Sequence, residues 1–241
     1  MNLLLIEPHE VSADQLCELS DRRAEHLRKV IGVQPGQVVR AGLLGGNHGS
    51  ATVLADDGTT IRLAVTFSQP ASEPLPVELV LAIPRPKVLT RVIEAVAAFG
   101  VASIELTNAW RVDKSYLGSP RLSPEVLNAA ARLGAEQGGV THLPRMAIHP
   151  KLMGLLDSRW PGPPRTKLIA HPGARPLETV MSEDPVVLAI GPEGGWIQRE
   201  VDTFVERGFE PVSLGPTILR VETAVAAALG QLVMLRRLRE R

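Results

Sequence analysis

Two stretches near the end of the sequence, VVLAIGPEGGW (Val186 to Trp196) and SLGPTILRVETA (Ser213 to Ala224), share one grammar: a short apolar strand, a break at Gly-Pro, and a passage toward a helix. This repetition constrains the chain to an α/β arrangement. Strand-loop-helix units that end at neighbouring positions form one ligand crevice at the carboxyl ends of parallel strands. In IGPEGG (Ile190 to Gly195) the proline fixes φ and has no N–H to place, while Gly194 and Gly195 allow close approach of backbone and positive φ. The block is neither a G-x-G-x-x-G nor a Walker loop, and it reads equally as a tight strand-to-helix connection with no ligand. In the second block Arg220 and Glu222 precede a helix; Arg220 either serves a site there or pairs with Glu222 or Glu193 as a surface ion pair, an arrangement that contributes little to stability.

The pattern upstream agrees with such a sheet. Val77 to Ile83 is a near-continuous apolar strand, and Val88 to Phe99 reads as a helix with Val88, Val92, Ala95, Val96 and Phe99 on its stripe. Val101 to Leu106 is the next strand, and 123 to 137 a helix with Ser123 as N-cap and Pro124 at the first helical position. Lys167 to Ala170 is a strand leading into His171-Pro172-Gly173, and Ile197, Val201, Phe204 and Val205 form the inner stripe of the helix after IGPEGG. Strands alternating with helices argue a mainly parallel sheet covered on both faces. The last helix, Val221 to Leu238, carries Ala224, Val225, Ala228, Leu229, Leu232 and Val233 on adjoining faces, which predicts burial on both sides and hence a homodimer, or else burial within one subunit. Its basic end (Arg236, Arg237, Arg239, Arg241) suits a helix C-terminus.

The N-terminal grammar is different. Residues 3 to 6 (LLLI) form a short strand, and 20 to 31 a helix capped by Ser20 with Ala24, Leu27, Val30 and Ile31 inward. Strand-like runs at Gln37 to Leu44, Ser50 to Ala55 and Thr60 to Phe67, separated by Gly- and Asp-rich turns, predict a small antiparallel barrel. Ser68 to Pro76 contains three prolines and no apolar period, so it separates a domain at 1–70 from one at 75–241.

Composition limits the function classes. Lys+Arg and Asp+Glu are both 26, so the whole chain lacks the basic excess of a typical nucleic-acid binder. Residues 1–74 hold 6 basic and 9 acidic side chains, which leaves a slight positive excess to the rest. Cys17 is the sole cysteine and excludes an internal disulfide, and the six histidines show no metal-ligand spacing, so no metal is expected. No run approaches the ~20 apolar residues of a membrane span, and no signal peptide is evident; a cytoplasmic protein without a membrane partner is expected. A nicotinamide-binding enzyme is disfavoured, since no G-x-G-x-x-G follows a strand.

IGPEGGW followed by LGPTILRVETA resembles the SPOUT-class RNA methyltransferases, in particular the family that methylates N3 of one uridine in bacterial 16S ribosomal RNA. EHLRKVIGVQPGQ (Glu25 to Gln37) is similar to that family's PUA-like RNA-binding domain, and LIAHPGA (Leu168 to Ala174) to the loop before its knot. The resemblance implies an α/β fold with a C-terminal trefoil knot, a dimer, a small-subunit rRNA partner and S-adenosylmethionine as cofactor. Carried over residue by residue, it places the cofactor against His171, Ile190, Gly191, Gly195, Leu214, Gly215, Ile218 and Leu219. Arg220 is then the cation for the charge developing on the base, with Glu193 or Glu222 orienting it or the base. The middle region departs from the family: AEQGGVTHLP (Ala135 to Pro144) keeps Glu136 and Gln137, which look RNA-facing there, but has Val140 or Thr141 where an arginine is expected. A methyltransferase for another RNA site, or a catalytically silent RNA-binding or ribosome-assembly protein, therefore stays open beside the first reading. Arg22, Arg23, Arg28 and Lys29, and Arg85, Lys87, Arg111 and Lys114, are candidate RNA contacts, and Trp110 and Trp196 are the aromatics near the loops.

Overall fold

The computed structural model describes residues 2–160, 165–180 and 185–240. Arg241, at the predicted basic helix end, lies outside them. The chain forms two compact units, one of Met1–Glu73 with Arg132–Leu143 and one of Pro74–Ala131 with Pro144–Arg241.

The first unit is a five-stranded mixed sheet of β1 (Leu4–Ile6), β2 (Leu16–Leu19), β3 (Val38–Leu43), β4 (His48–Asp56) and β5 (Ile61–Gln69), in the order β1-β3-β4-β5-β2. β1 runs parallel to β3 and the other pairs are antiparallel, so the three runs predicted as strands are joined by two short strands, one of which the sequence pattern did not reveal. The LLLI run is apolar because β1 buries both faces. Leu4 and Ile6 join the main core with Leu19, Leu27 and Leu63, whereas Leu3 and Leu5 pack with Ala135, Leu44, Val140 and Leu143. That second layer is why residues 132–143 belong to this unit.

The predicted helix at 20–31 is helix α1 (Arg22–His26) followed by a π-helical turn, Leu27–Ile31. Its N-cap is Asp21 rather than Ser20: the Asp21 carboxylate accepts the Arg23 backbone N–H at 2.9 Å. The wider turn closes Gly32 N–H onto the Leu27 carbonyl, and this rotates Val30 and Ile31 out to solvent, against the predicted stripe.

The second unit is built on a six-stranded, wholly parallel sheet: β6 (Leu75–Ala82), β7 (Val101–Thr107), β8 (Arg145–His149), β9 (Thr166–Pro176), β10 (Val186–Ile190) and β11 (Glu210–Ser213), in the order β11-β9-β10-β6-β7-β8. Its helices are α2 (Pro86–Ala98), α3 (Pro124–Gly138, whose last residues count with the first unit), α4 (Leu152–Ser158), α5 (Gln198–Glu206) and α6 (Val221–Arg239). The strands are apolar because both faces are covered; all five residues of β10 are buried. On α2 the inward stripe is Leu89, Val92, Ile93, Val96 and Ala97; it keeps the predicted Val92 and Val96 but replaces Val88, Ala95 and Phe99, the last of which is exposed. On α5 Val201 and Phe204 are buried, but Val205 is exposed. Ser123 Oγ accepts the Val126 N–H at 3.4 Å at the start of α3, as its N-cap pattern predicts. On α6 Val221, Ala224, Val225, Ala228, Leu229 and Leu232 are buried within the chain, while Met234 and Leu238 remain exposed. Among the described residues, no helix is long and apolar enough to cross a membrane.

Candidate functional site

Three loops meet at the carboxyl ends of β9, β10 and β11, where the strand order doubles back so that β10 and β11 flank β9. The first loop lies inside β9. Its ladder to β11 pairs Ile169 with Pro211 and then jumps to Arg175 with Val212, leaving Ala170 to Ala174 outside the pairing. This irregularity explains why the strand reaches Pro176 when its sequence pattern stops at Ala170, and it brings Ala170, His171 and Pro172 to the cleft.

The second loop follows β10. Gly195 has φ +70°, and its N–H donates to the Pro192 carbonyl at 2.7 Å, closing a turn that a residue with Cβ adopts only under strain. Gly191 is needed for a different reason: a Cβ there would lie 3.2 Å from the Trp196 ring and backbone. Trp196 is buried and stacks edge-on against Phe204 (centroids 5.0 Å apart), which in turn meets Phe209 at 4.9 Å, so this loop is anchored on α5 by an aromatic row. The third loop follows β11 and is held from α6, where Gln231 Nε2 donates to the Leu214 carbonyl at 3.0 Å.

Together the loops enclose a cleft of about 330 Å³, within the size range of small-molecule sites. His171, Ile190, Gly191, Gly195, Leu214, Gly215, Ile218 and Leu219 all line it, as do Glu193, Arg111 and Trp196. The indole Nε1 of Trp196 is buried with no hydrogen-bond partner among the described residues, a donor that a ligand in the cleft can satisfy. Ile218 is 87% exposed although it lines the cleft, an apolar side chain without a protein partner to cover it. A glycine-rich backbone cradle, apolar walls and an orphaned donor fit a nucleoside-bearing cofactor.

The three charged candidates are placed differently from one another. Glu193 lines the cleft, and its carboxylate accepts the Arg85 backbone N–H at 2.9 Å. Arg220 is exposed at the N-cap position of α6, next to the lining residues Leu219 and Val221, and its guanidinium has no carboxylate within ion-pair distance among the described residues. The ion pair with Glu222 or Glu193 is therefore not formed. Glu222 sits in the first turn of α6 and is not part of the lining.

Two residues escaped the sequence reading. Glu200 is buried in the first turn of α5, where its carboxylate accepts the N–H groups of Trp110 (2.8 Å) and Ile197 (3.0 Å). It thereby ties the loop after β7 to the loop after β10. The signal that pointed to it is a glutamate three residues into a helix start, the position from which a side chain reaches back to the cap N–H. Arg111, considered only as an RNA contact, donates to the Gly194 carbonyl and forms one wall of the cleft.

The N-terminal RNA-contact candidates are occupied. Arg22 makes a two-bond pair with Glu136 (2.9 and 2.7 Å), Arg23 pairs with Glu10 and Asp21, Arg28 with Asp56, and Lys29 with Glu25. Glu136 is buried, and so is Thr141, whose hydroxyl donates to the Gly46 carbonyl at 2.7 Å; both side chains serve the interior of the first unit.

Residues 71–233 match the family model of the RNA methyltransferase domain. The chain is 28% identical over 247 residues to the ribosomal RNA small subunit methyltransferase E of Treponema pallidum, covering 95% of this chain and 89% of the relative. It is 26% identical to ribosomal RNA small subunit methyltransferase E 1 of Borreliella burgdorferi, covering 95% of each. Among solved structures it resembles the ribosomal RNA small subunit methyltransferase E of Neisseria gonorrhoeae bound to S-adenosyl methionine, with a TM-score of 0.79, 25% identity and 98% of each chain covered.

Proposed function

The chain belongs to the RNA methyltransferase domain family, and from that premise we propose that it is a cytoplasmic S-adenosylmethionine-dependent enzyme that methylates N3 of one uridine in the 16S RNA of the small ribosomal subunit. The observation that carries this reading is the convergence of eight residues from three separate loops on one glycine-lined cleft, at the carboxyl ends of adjacent parallel strands. Relatives named for small-subunit rRNA methylation and a cofactor-bound structural neighbour support the same substrate and cofactor. In this reading the first unit is a PUA-like RNA-binding domain and the last strands and α6 form a trefoil knot. The exposed Met234 and Leu238 of α6 favour a dimer across it.

Bound in the cleft, S-adenosylmethionine supplies a methyl group already activated by its sulfonium. The residues of the chain then have two tasks. The first is holding: Ile190, Gly191, Leu214, Leu219 and the Trp196 Nε1 donor would hold the nucleoside part of the cofactor, and Gly195 and Gly215 would admit it without a side chain in the way. Such positioning can supply a large part of a methyl-transfer rate. The second is charge. Uridine N3 must lose its proton to water before or as it attacks, and the negative charge spreads onto the flanking carbonyl oxygens. Arg220, unopposed at the edge of the cleft, is the cation that stabilises it. Glu193, fixed by the Arg85 N–H in the cleft lining, is placed to orient the base, and Glu222, in the first turn of α6 beside Arg220, to add to the field there without pairing with it.

Isothermal titration of the protein with S-adenosylmethionine, beside Gly195→Trp, tests the cofactor site. A Cβ at Gly195 meets no protein atom within 4 Å, so the indole extends into open space at the cleft at the cost of the positive φ. Saturable binding by the wild type that disappears in Gly195→Trp is expected. No binding by the wild type at millimolar ligand, with or without RNA, overturns the proposal.

A further inference from the structure

A second cleft, of about 670 Å³, lies on the other side of the wall that Glu200 braces. Neighbouring residues divide between the two cavities: Arg111 and Trp196 line the first, Trp110 and Ile197 the second. The second cleft has no part in holding the cofactor, yet its lining is unusual. Trp110 is 79% exposed, the least covered aromatic side chain among the exposed large hydrophobics, and its ring makes no aromatic or cation contact among the described residues. Around it stand Lys114, Lys151 and Arg199, all exposed and none with a carboxylate partner among the described residues. The acidic side chain in the lining is Glu200, which is buried and already accepts two backbone N–H groups. Asp113, adjacent in sequence, is committed to the backbone N–H and hydroxyl of Ser115, at 2.9 and 2.7 Å.

An exposed indole costs solvation unless something covers it, and three unopposed cations around it select a polyanion whose units carry flat rings. Single-stranded nucleic acid has that chemistry: bases stack on the aromatic face while the backbone follows the positive charge. Because one wall separates this cleft from the first, a strand seated here enters beside the methyl donor. We propose that the Trp110 cleft is a single-stranded RNA subsite that stacks a nucleotide flanking the target, with Lys114, Lys151 and Arg199 on its phosphates. The proposal deepens the methyltransferase reading and rests on it for the identity of the strand.

The test measures binding of a fluorescently labelled oligouridylate of about ten nucleotides across a salt series, in the presence of S-adenosylmethionine. The wild type is expected to bind with a salt-dependent affinity. Trp110→Ala is expected to weaken binding by about tenfold or more, and Trp110→Phe to restore most of it. The Ala variant keeps the backbone N–H that Glu200 accepts, so the wall remains. Lys114→Gln and Lys151→Gln should each lower the slope of log affinity against log salt by about 0.7. Equal affinities for wild type and Trp110→Ala, or no binding by the wild type, overturn the proposal. So does a polyglutamate that competes with the RNA and loses affinity equally in Trp110→Ala, which would make this a general anion surface. Cofactor titration of the same samples separates the two readings. Intact cofactor binding with no Trp110 effect removes the subsite alone, whereas absent cofactor binding removes the methyltransferase reading and leaves a Trp110 effect standing.

Discussion

In the first unit Arg22, Arg23, Arg28, Lys29, Arg62 and Arg132 each lie against a carboxylate, whereas in the second unit Lys114, Lys151, Arg199 and Arg220 have none among the described residues. The same residue types thus do opposite work. In the first unit they neutralise an acidic excess and knit the sheet to residues 132–143, as Arg22 with Glu136 and Arg132 with Glu7 show. In the second unit Arg159, Arg165, Arg175 and Arg207 are tied to carboxylates in the same way, and it is the four open cations that stand around the two clefts. A chain with equal numbers of basic and acidic residues can still present a locally cationic surface, if most carboxylates are taken up in ion pairs elsewhere and the cations around one site are left open.

The sharpest way to break this contrast is Arg23→Met. Arg23 is buried, pairs with Glu10 and Asp21, and donates to the Leu5 carbonyl at 2.8 Å. Removing one partner of a buried charge network costs about 3–5 kcal/mol, which urea unfolding should show, while the salt dependence of RNA binding stays unchanged. A flatter salt slope in this variant would mean that the first unit, and not the second, carries the contact. The acid limb sharpens the same point. Burial works against the charged forms of Glu10 and Asp21, but the bonds from Arg23, with backbone N–H groups from Glu7 and Arg23, outweigh it and hold both carboxyls below their ordinary values of 4.5 and 3.8. Their unfolded forms bind protons first. The stabilisation is therefore complete above those ordinary values and is lost as the pH falls through the lowered folded ones. Arg23→Met should flatten that loss in acid unfolding curves.

Next in size is Arg220→Ala. If the unopposed cation at the start of α6 stabilises charge on the base, single-turnover methyl transfer should slow by about 100-fold or more, with cofactor affinity unchanged because Arg220 does not line the cleft. A rate within a few-fold of wild type would return Arg220 to the solvated charges. The smallest effect compares one lysine with one arginine. Lys151→Gln should lower the salt slope of RNA binding by about 0.7, whereas Arg28→Gln, whose guanidinium already meets Asp56 at 2.7 Å, should leave it alone. Equal slopes in the two variants would dissolve the distinction between the units.

Much of the second unit was legible from local pattern. Strands buried on both faces must be apolar throughout, so β6, β7 and β10 announced themselves, and the Gly-Pro breaks marked where strands give way to loops. The cleft residues were legible as a set because short motifs carried them. What escaped was set at a distance or by small departures from ideal geometry. β8 is exposed at most positions and short, so it has no apolar run to betray it. The π-helical turn moved Val30 and Ile31 by changing the winding, which a 3.6-residue period cannot anticipate. The irregularity in β9 has no signal in LIAHPGA except the proline and glycine.

By itself the sequence determined a parallel α/β unit after an N-terminal β unit, because hydrophobic period and glycine placement are local properties that a linear chain records; the loop residues of one cleft came from its resemblance to a known family. Only the tertiary structure decided which charges are available. Whether an arginine is a structural tie or an open contact depends on a carboxylate that lies 114 positions away for Arg22 and 125 for Arg132. Coulomb attraction at 3 Å does not depend on sequence separation. For the same reason the fold alone could set Trp110 and three cations, unpaired among the described residues, around one cavity, on the far side of a wall held by a buried glutamate.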